Sequence, residues 1–330
     1  MKVHAPLPFL VRALTAGLAL GLPTAALADD TLTVVHQFGP FETPESIAAD
    51  WDGNLYVSLA ITGEIARIDR HGARSTLAFI PLGDWPAQEC APGDFALLHG
   101  IATDLDGNVY AGASACDPQV RGIWRVTPSG SAARIASLPL DAHPNGLAIR
   151  RGHVYVTDHF GGRVFRAPLT SQGGPAELWA SSPLLAFVPN PFLAPGANGI
   201  QFFRNTAYVA NSSQQTIVAI DLGPHDQPGE AYVVHDVPPG CDDFAFDVLG
   251  NLYCTTNPFQ TVTRIDPDGA VEVVFEAADG LDGPTAVTFG RMRHHSTLYI
   301  ANAAFPFFPG TGNGPSVLAV ELGLPGYPLR

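Results

Sequence analysis

Short apolar runs recur along the chain, each followed by a turn and a second apolar run. The stretches PESIAADWDGNLYVS, LHGIATDLDGNVYAG, PNGLAIRRGHVYVTD, ANGIQFFRNTAYVAN, CDDFAFDVLGNLYCT and GPTAVTFGRMRHHSTLYIAN begin at Pro44, Leu98, Pro144, Ala197, Cys241 and Gly283. Each reads as a strand, a turn and a strand of the form x-L/V-Y-V. A third strand follows in turn as EIARID, GIWRVT, RVFRAP, TIVAID, TVTRID and SVLAVE, and several repeats add a fourth, such as STLAFI or AELWA. No window beyond the N-terminus sustains a helical stripe. Four-stranded units recurring every 40 to 55 residues or so are the signature of a β-propeller. The pattern therefore predicts an all-β fold, a six-bladed β-propeller forming one domain over residues 29–330. The sixth unit has no fourth strand of its own, while LTVVHQF (Leu32 to Phe38) is an orphan. This N-terminal strand is expected to complete the last blade and close the ring, which removes exposed sheet edges.

The N-terminal segment has a different character. Lys2 and Arg12 flank the apolar run ALTAGLALGL, and ALA at Ala26 to Ala28 is a small-residue cleavage site. That is a signal peptide over residues 1–28, too short in its apolar part to span a bilayer. The expectation is export, to a periplasm or outside the cell, with no membrane attachment after cleavage.

Charge narrows the partners. Cleavage removes two of the 17 basic residues and none of the 31 acids, so the formal charge becomes −16. Such a chain will not hold a phosphate backbone, and nucleic acid is excluded as a partner. Acidity suits a cation. With 34 Gly and 30 Pro, the composition fits many short strands joined by tight turns. The four cysteines, Cys90, Cys116, Cys241 and Cys254, permit three pairings in an oxidising compartment. Cys90–Cys116 is the favoured pair, because the two flank one strand pair; Cys241 and Cys254 could pair or stay free.

Two Asn-Gly pairs open strands where a hairpin turn would be the usual reading. In a propeller the first strand of each blade lines the central channel, so Asn145 and Asn198 should face one mouth. Equivalent positions are Glu45, His99, Asp242 and Pro284. Glu45, Asn145, Asn198 and Asp242 then offer two carboxylates and two amide oxygens, hard donors that suit Ca²⁺, though another divalent cation is possible. DWDGN and DLDGN lack the bidentate Glu of a calcium loop and read as turns. No Gly-x-Ser-x-Gly elbow is present, which argues against a serine hydrolase.

These residues carry a resemblance. The chain resembles the calcium-dependent propellers of the senescence marker protein/gluconolactonase family, and more distantly paraoxonases and strictosidine synthase-like proteins. The family's ligand pattern of Glu, Asn, Asn and Asp falls on Glu45, Asn145, Asn198 and Asp242. LHGIAT (Leu98 to Thr103) is similar to the paraoxonase stretch that bears a catalytic histidine. A second histidine of that pattern is missing, since its place lies near Cys116. The fifth-blade site has Asp242-Asp243 where gluconolactonases have Asp-Gly, and NAAFPFFPG suggests an apolar wall in place of sugar-binding polar groups.

The resemblance implies a metal-dependent hydrolase of lactones or related esters acting on a small-molecule substrate. The ion polarises the carbonyl, and Asp242 or His99 activates water. Loops between second and third strands should rise at the same mouth. They bring Asp158, His159, Asn211, Asn257, Phe305 and Phe307 as pocket candidates. Two other readings stand beside this one. One is a non-catalytic propeller binding a small molecule or protein, with structural calcium. The other is a strictosidine synthase-like condensing or isomerising enzyme. Sequence leaves the oligomeric state open.

Overall fold

The computed structural model describes residues 31–83, 89–91, 94–191, 194–237, 239–306 and 309–328. Residues 1–28, expected to be a signal peptide, and Phe307 lie outside the described residues. Six small sheets, antiparallel except for the short edge strand Gly174–Pro175 that pairs in parallel with Ala132–Ser137, are arranged as a six-bladed β-propeller. The first strands of the blades are Pro44–Ala49, Leu98–Thr103, Pro144–Arg150, Ala197–Phe203, Phe244–Phe246 and Pro284–Phe289. Each pairs with the strand that follows it, and the sheet then steps outward through a third and a fourth.

Burial explains the sequence pattern. Each blade is covered on both faces by its neighbours, so its second strand is largely buried rather than alternating between core and solvent. All five residues of Leu55–Leu59 and of Leu252–Thr256 are buried. Outer strands face solvent, and their side chains are mixed, as in Val271–Phe275. Among the described residues, no helix is long and apolar enough to cross a membrane.

The sixth sheet draws on both ends of the described chain. Its order runs from Pro284–Phe289 through Thr297–Asn302 and Ser316–Glu321 to Thr33–Gln37. Thr33 pairs with Ala319 and Gln37 with Ser316. Blades six and one also meet at the channel, where Thr285 Oγ1 donates to Pro44 O at 3.1 Å.

The acidic turns are structural. Asp50 Oδ1 accepts from the amides of Asp52 and Asn54, and its Oδ2 from Asn54 Nδ2 at 2.7 Å and the Tyr56 hydroxyl at 3.0 Å. Asp104 repeats this with Asp106, Asn108 and Tyr110. Their carboxylate oxygens are spent on the turn that joins first strand to second, which is the physical content of the D-x-D-G-N motif.

A chain lacking Leu32 to Phe38 should leave Ser316–Glu321 as an open edge. Its melting temperature should drop and it should aggregate on size-exclusion chromatography. A monomer that melts like the parent would show that the N-terminal strand adds nothing to the ring.

Candidate metal centre

Five of the six inner strands enter the channel with a kink. Pairing with the second strand slips in five blades. The slips lie between Pro44 and Ser46, Leu98 and Ile101, Pro144 and Leu147, Ala197 and Ile200, and Pro284 and Ala286. A bulge at that point re-aims a side chain out of the ladder. The residues so released include Glu45, His99, Asn145 and Asn198. By the same register the sixth position is Thr285, not Pro284, because Pro284 still pairs with Asn302.

Blade five reaches the rim by another route. Its first strand begins only at Phe244. Asp242 is held instead by backbone bonds: its amide donates to Thr255 O at 2.8 Å, and the Thr255 amide donates to Asp243 O at 3.0 Å. A Cys241–Cys254 disulfide ties the same two segments. A second disulfide joins Cys90 to Cys116 in blade two.

The glycines after the rim residues answer to space. Gly100, Gly146 and Gly199 have no left-handed φ. A Cβ on Gly146 would run into Asn198 O and lie 2.7 Å from Gly199 Cα. One on Gly100 would strike Asn145 O, and one on Gly199 the Asp243 carboxylate. Neighbouring strands therefore pass almost in contact at this level. The Asn-Gly pairs mark that close passage and not hairpin turns.

Four residues of the sequence pattern, Glu45, Asn145, Asn198 and Asp242, line one small space, together with Asp243 and Thr285. Asn198 Nδ2 donates to Asp242 Oδ1 at 2.7 Å and to Ser212 Oγ at 3.0 Å. Burial, then the charges of Glu45 and Asp243, push the Asp242 carboxyl well above the usual range, against hydrogen bonds from Asn198 and Asn257. Asp243 is pushed up to about 7, chiefly by burial. No arginine pairs with Glu45, Asp242 or Asp243 among the described residues. Nor do three His, Cys, Asp or Glu side chains converge on one point among those residues. The donor set is two carboxylates with amide oxygens, packed without a counter-charge. Such a set fits a hard divalent cation and does not fit zinc.

His99 stands beside it, 5% exposed, its Nδ1 3.8 Å from Glu45 Oε1. Its Nε2 lies 3.2 Å from Ser114 Oγ. The Ser114 hydroxyl donates to Phe95 O at 2.7 Å, so toward the imidazole it accepts. Nε2 therefore carries the proton, and Nδ1 is left with a lone pair and no hydrogen bond, buried at the mouth.

Two further imidazoles extend this wall. The His143 and His159 rings stack at 5.5 Å, and His159 lies 6.1 Å from His99, edge on. Phe160 packs against both His143 and His159. Burial above all, then the charges of His99, His143 and Arg121, hold His159 well below the usual imidazole range. Arg121 is 1% exposed and donates to Ala115 O at 2.8 Å and Ala142 O at 2.6 Å. Neither His143 nor Arg121 has a place in the repeat pattern. The only sequence signal for His143 is its position two residues before Asn145.

The remaining pocket candidates divide. Asn257 and Phe305 line a small cleft between the loops of blades five and six. Asp158 is buried in an ion pair with Arg163 at 2.6 Å and accepts the His143 amide at 2.9 Å. Asn211 donates to Leu184 O and Ala186 O and accepts from Ser213 and Gln214. Asp158 and Asn211 thus hold loops in place beneath the mouth.

Residues 190–304 match the family model of the SMP-30/gluconolactonase/LRE-like region. The match covers 115 of the 330 residues, and over that part the chain is similar to this family. The matched stretch contains Asn198 and Asp242. No curated protein sequence matches the chain. Solved structures share the propeller fold at low identity. A calcium-binding protein, regucalcin, from Agrobacterium tumefaciens has 15% identity and a TM-score of 0.64, over 89% of this chain and 94% of that one. A gluconolactonase from Xanthomonas campestris has 18% identity and a TM-score of 0.61, over 90% and 89%. Virginiamycin B lyase from Staphylococcus aureus has 14% identity and a TM-score of 0.52, over 90% and 98%.

Two outcomes are expected at this site. Gly146→Ala should destabilise the protein by about 1–3 kcal/mol in chemical denaturation, because the rim cannot widen freely. Gly174→Ala, with nothing within 4 Å, is the control and should be near neutral.

The second outcome concerns pH. The raised Asp242 and Asp243 pKa values mean that the metal-free fold holds protons its unfolded chain has lost. Their contribution is fully present below an unfolded carboxylate pKa of about 4 and is lost as pH rises to about 7. The melting temperature of chelated protein should therefore fall over that window. Calcium should cancel the fall and add roughly 2.7 kcal/mol at a hundredfold excess over Kd. Glu45→Gln should blunt the calcium response. A chelated protein with a flat profile across this window would count against the buried, uncompensated carboxylates.

Proposed function

We propose that the protein is an exported, calcium-dependent hydrolase of lactones or related esters. The observation that carries this reading is a ring of uncompensated oxygen donors beside a buried imidazole nitrogen with a free lone pair. Glu45, Asn145, Asn198 and Asp242 would hold the ion. When bound, calcium supplies positive charge for a carbonyl oxygen that becomes an oxyanion.

The other work falls to the chain. Nδ1 of His99 accepts the proton of the attacking water, and the bond from Nε2 to Ser114 fixes the tautomer that makes this possible. Asp242, already an acceptor for Asn198, serves as ligand rather than base. His143, His159, Phe160 and Phe305 give the mouth an aromatic side with few donors. That surface favours a lactone with an apolar substituent over a polyhydroxy one. The fold shared with a gluconolactonase and with a calcium-binding regucalcin supports the reaction class and the metal.

A panel of lactones assayed with chelator and then with added calcium tests the reading. Turnover should vanish and return. His99→Gln should lower kcat by roughly 10²–10⁴ while calcium still raises the melting temperature. Full activity in His99→Gln with the parent's pH profile would remove His99 as the base.

A further inference from the structure

A cavity lies at the other mouth. It measures about 290 Å³ and is formed where the inner strands end, at Ile47, Ile101, Leu147 and Ile149. The cavity runs from Trp51 and Arg291 at that mouth to Ile47, Ile101 and Leu147, where it adjoins Ser46, Gly100 and Gly146 of the oxygen-lined space. The chain near its C-terminus covers part of the same mouth. The Tyr327 amide donates to Phe246 O at 2.7 Å and the Gly326 amide to His295 O at 2.7 Å, while the Tyr327 ring packs on Phe203 at 4.5 Å. This strap covers the side toward blades four to six. The side toward blades one to three stays open and is walled by aliphatic side chains.

One cation stands at the boundary. Arg291 lines both the open cavity and the small cleft under the strap. Its guanidinium carbon lies 5.5 Å over the Trp51 ring. Its Nε is buried without a hydrogen-bond partner, and no carboxylate pairs with it among the described residues. Three other charged side chains line the cavity, and one of them, Asp106, keeps its carboxylate there. Arg151 is paired with Asp226, and the Asp104 carboxylate is consumed by its own turn. Burial alone lowers the Arg291 pKa, with no acid opposing it, yet arginine remains charged at neutral pH. A buried donor left unsatisfied is costly. The indole covers one face of the guanidinium and leaves the planar edge of donors open, which is the edge that grips a carboxylate.

We propose that this mouth binds a medium-chain carboxylate, its head on Arg291 and Trp51 and its alkyl chain against the inner-strand ends. The volume is at the small end of ligand sites, about 300 Å³, which suits a short chain. The site is independent of the hydrolase reading and needs no metal.

Calorimetry on the calcium-saturated mature protein with octanoate and octanol tests it. Octanoate should bind saturably at one site and more tightly than octanol. Arg291→Gln should weaken octanoate by roughly tenfold to a hundredfold and leave octanol unchanged. Trp51→Ala, at an exposed position, should weaken octanoate in a protein that melts like the parent. The proposal fails if octanoate shows no saturable binding, or if Arg291→Gln binds it as the parent does. It fails equally if Glu45→Gln, at the opposite mouth, is the change that abolishes binding.

Discussion

Everything at the oxygen-lined mouth depends on how closely the inner strands approach one another. At Gly100, Gly146 and Gly199 the adjoining backbones leave no room for a methyl group. That closeness brings side chains from four blades to one small space. No arginine pairs with Glu45, Asp242 or Asp243 there among the described residues. Charge of one sign gathered in a confined place is an unstable arrangement by itself. It becomes a favourable one when a cation joins, because the ion then cross-links blades that share no covalent connection at that level.

The supports around the ring follow the same logic. Blade five has the shortest inner strand, yet it carries the acid with the most perturbed carboxyl. The Cys241–Cys254 bridge and the Thr255 backbone bonds hold Asp242 where a regular strand would have held it. Ser114 does the equivalent for His99 with a single hydroxyl that is already committed as a donor. In each case a neighbour limits the orientations open to the reactive group, so the site is organised before a ligand arrives.

Much of this was legible in the chain, and the exceptions have physical causes. Repeats at a fixed spacing expose the blades, because each must bury the same faces against its neighbours. Rim residues show themselves because equivalent phases of the repeat recur at one mouth. The error at Pro284 is one residue wide. A bulge inserts a residue off the ladder, and repeat alignment cannot tell which of two neighbours is released. Asp158 and Asn211 sit in loops that do rise at the correct mouth, but their polar atoms are consumed by backbone groups, and sequence does not reveal a hydrogen bond. His143 and Arg121 belong to no periodic position. The strap over the far mouth is drawn from GLPGYP, whose residues have no pattern until Phe203 and Phe246 are beneath it.

The sixth sheet has a consequence in time rather than in space. Thr33 finds its partner Ala319 at a separation of 286 positions. A ribosome emits the first of these strands long before the last, so no nascent chain can form that sheet. Contacts this remote in sequence form slowly, since the intervening chain must first be brought to order. A protein so built passes through translation with its earliest strand uncommitted.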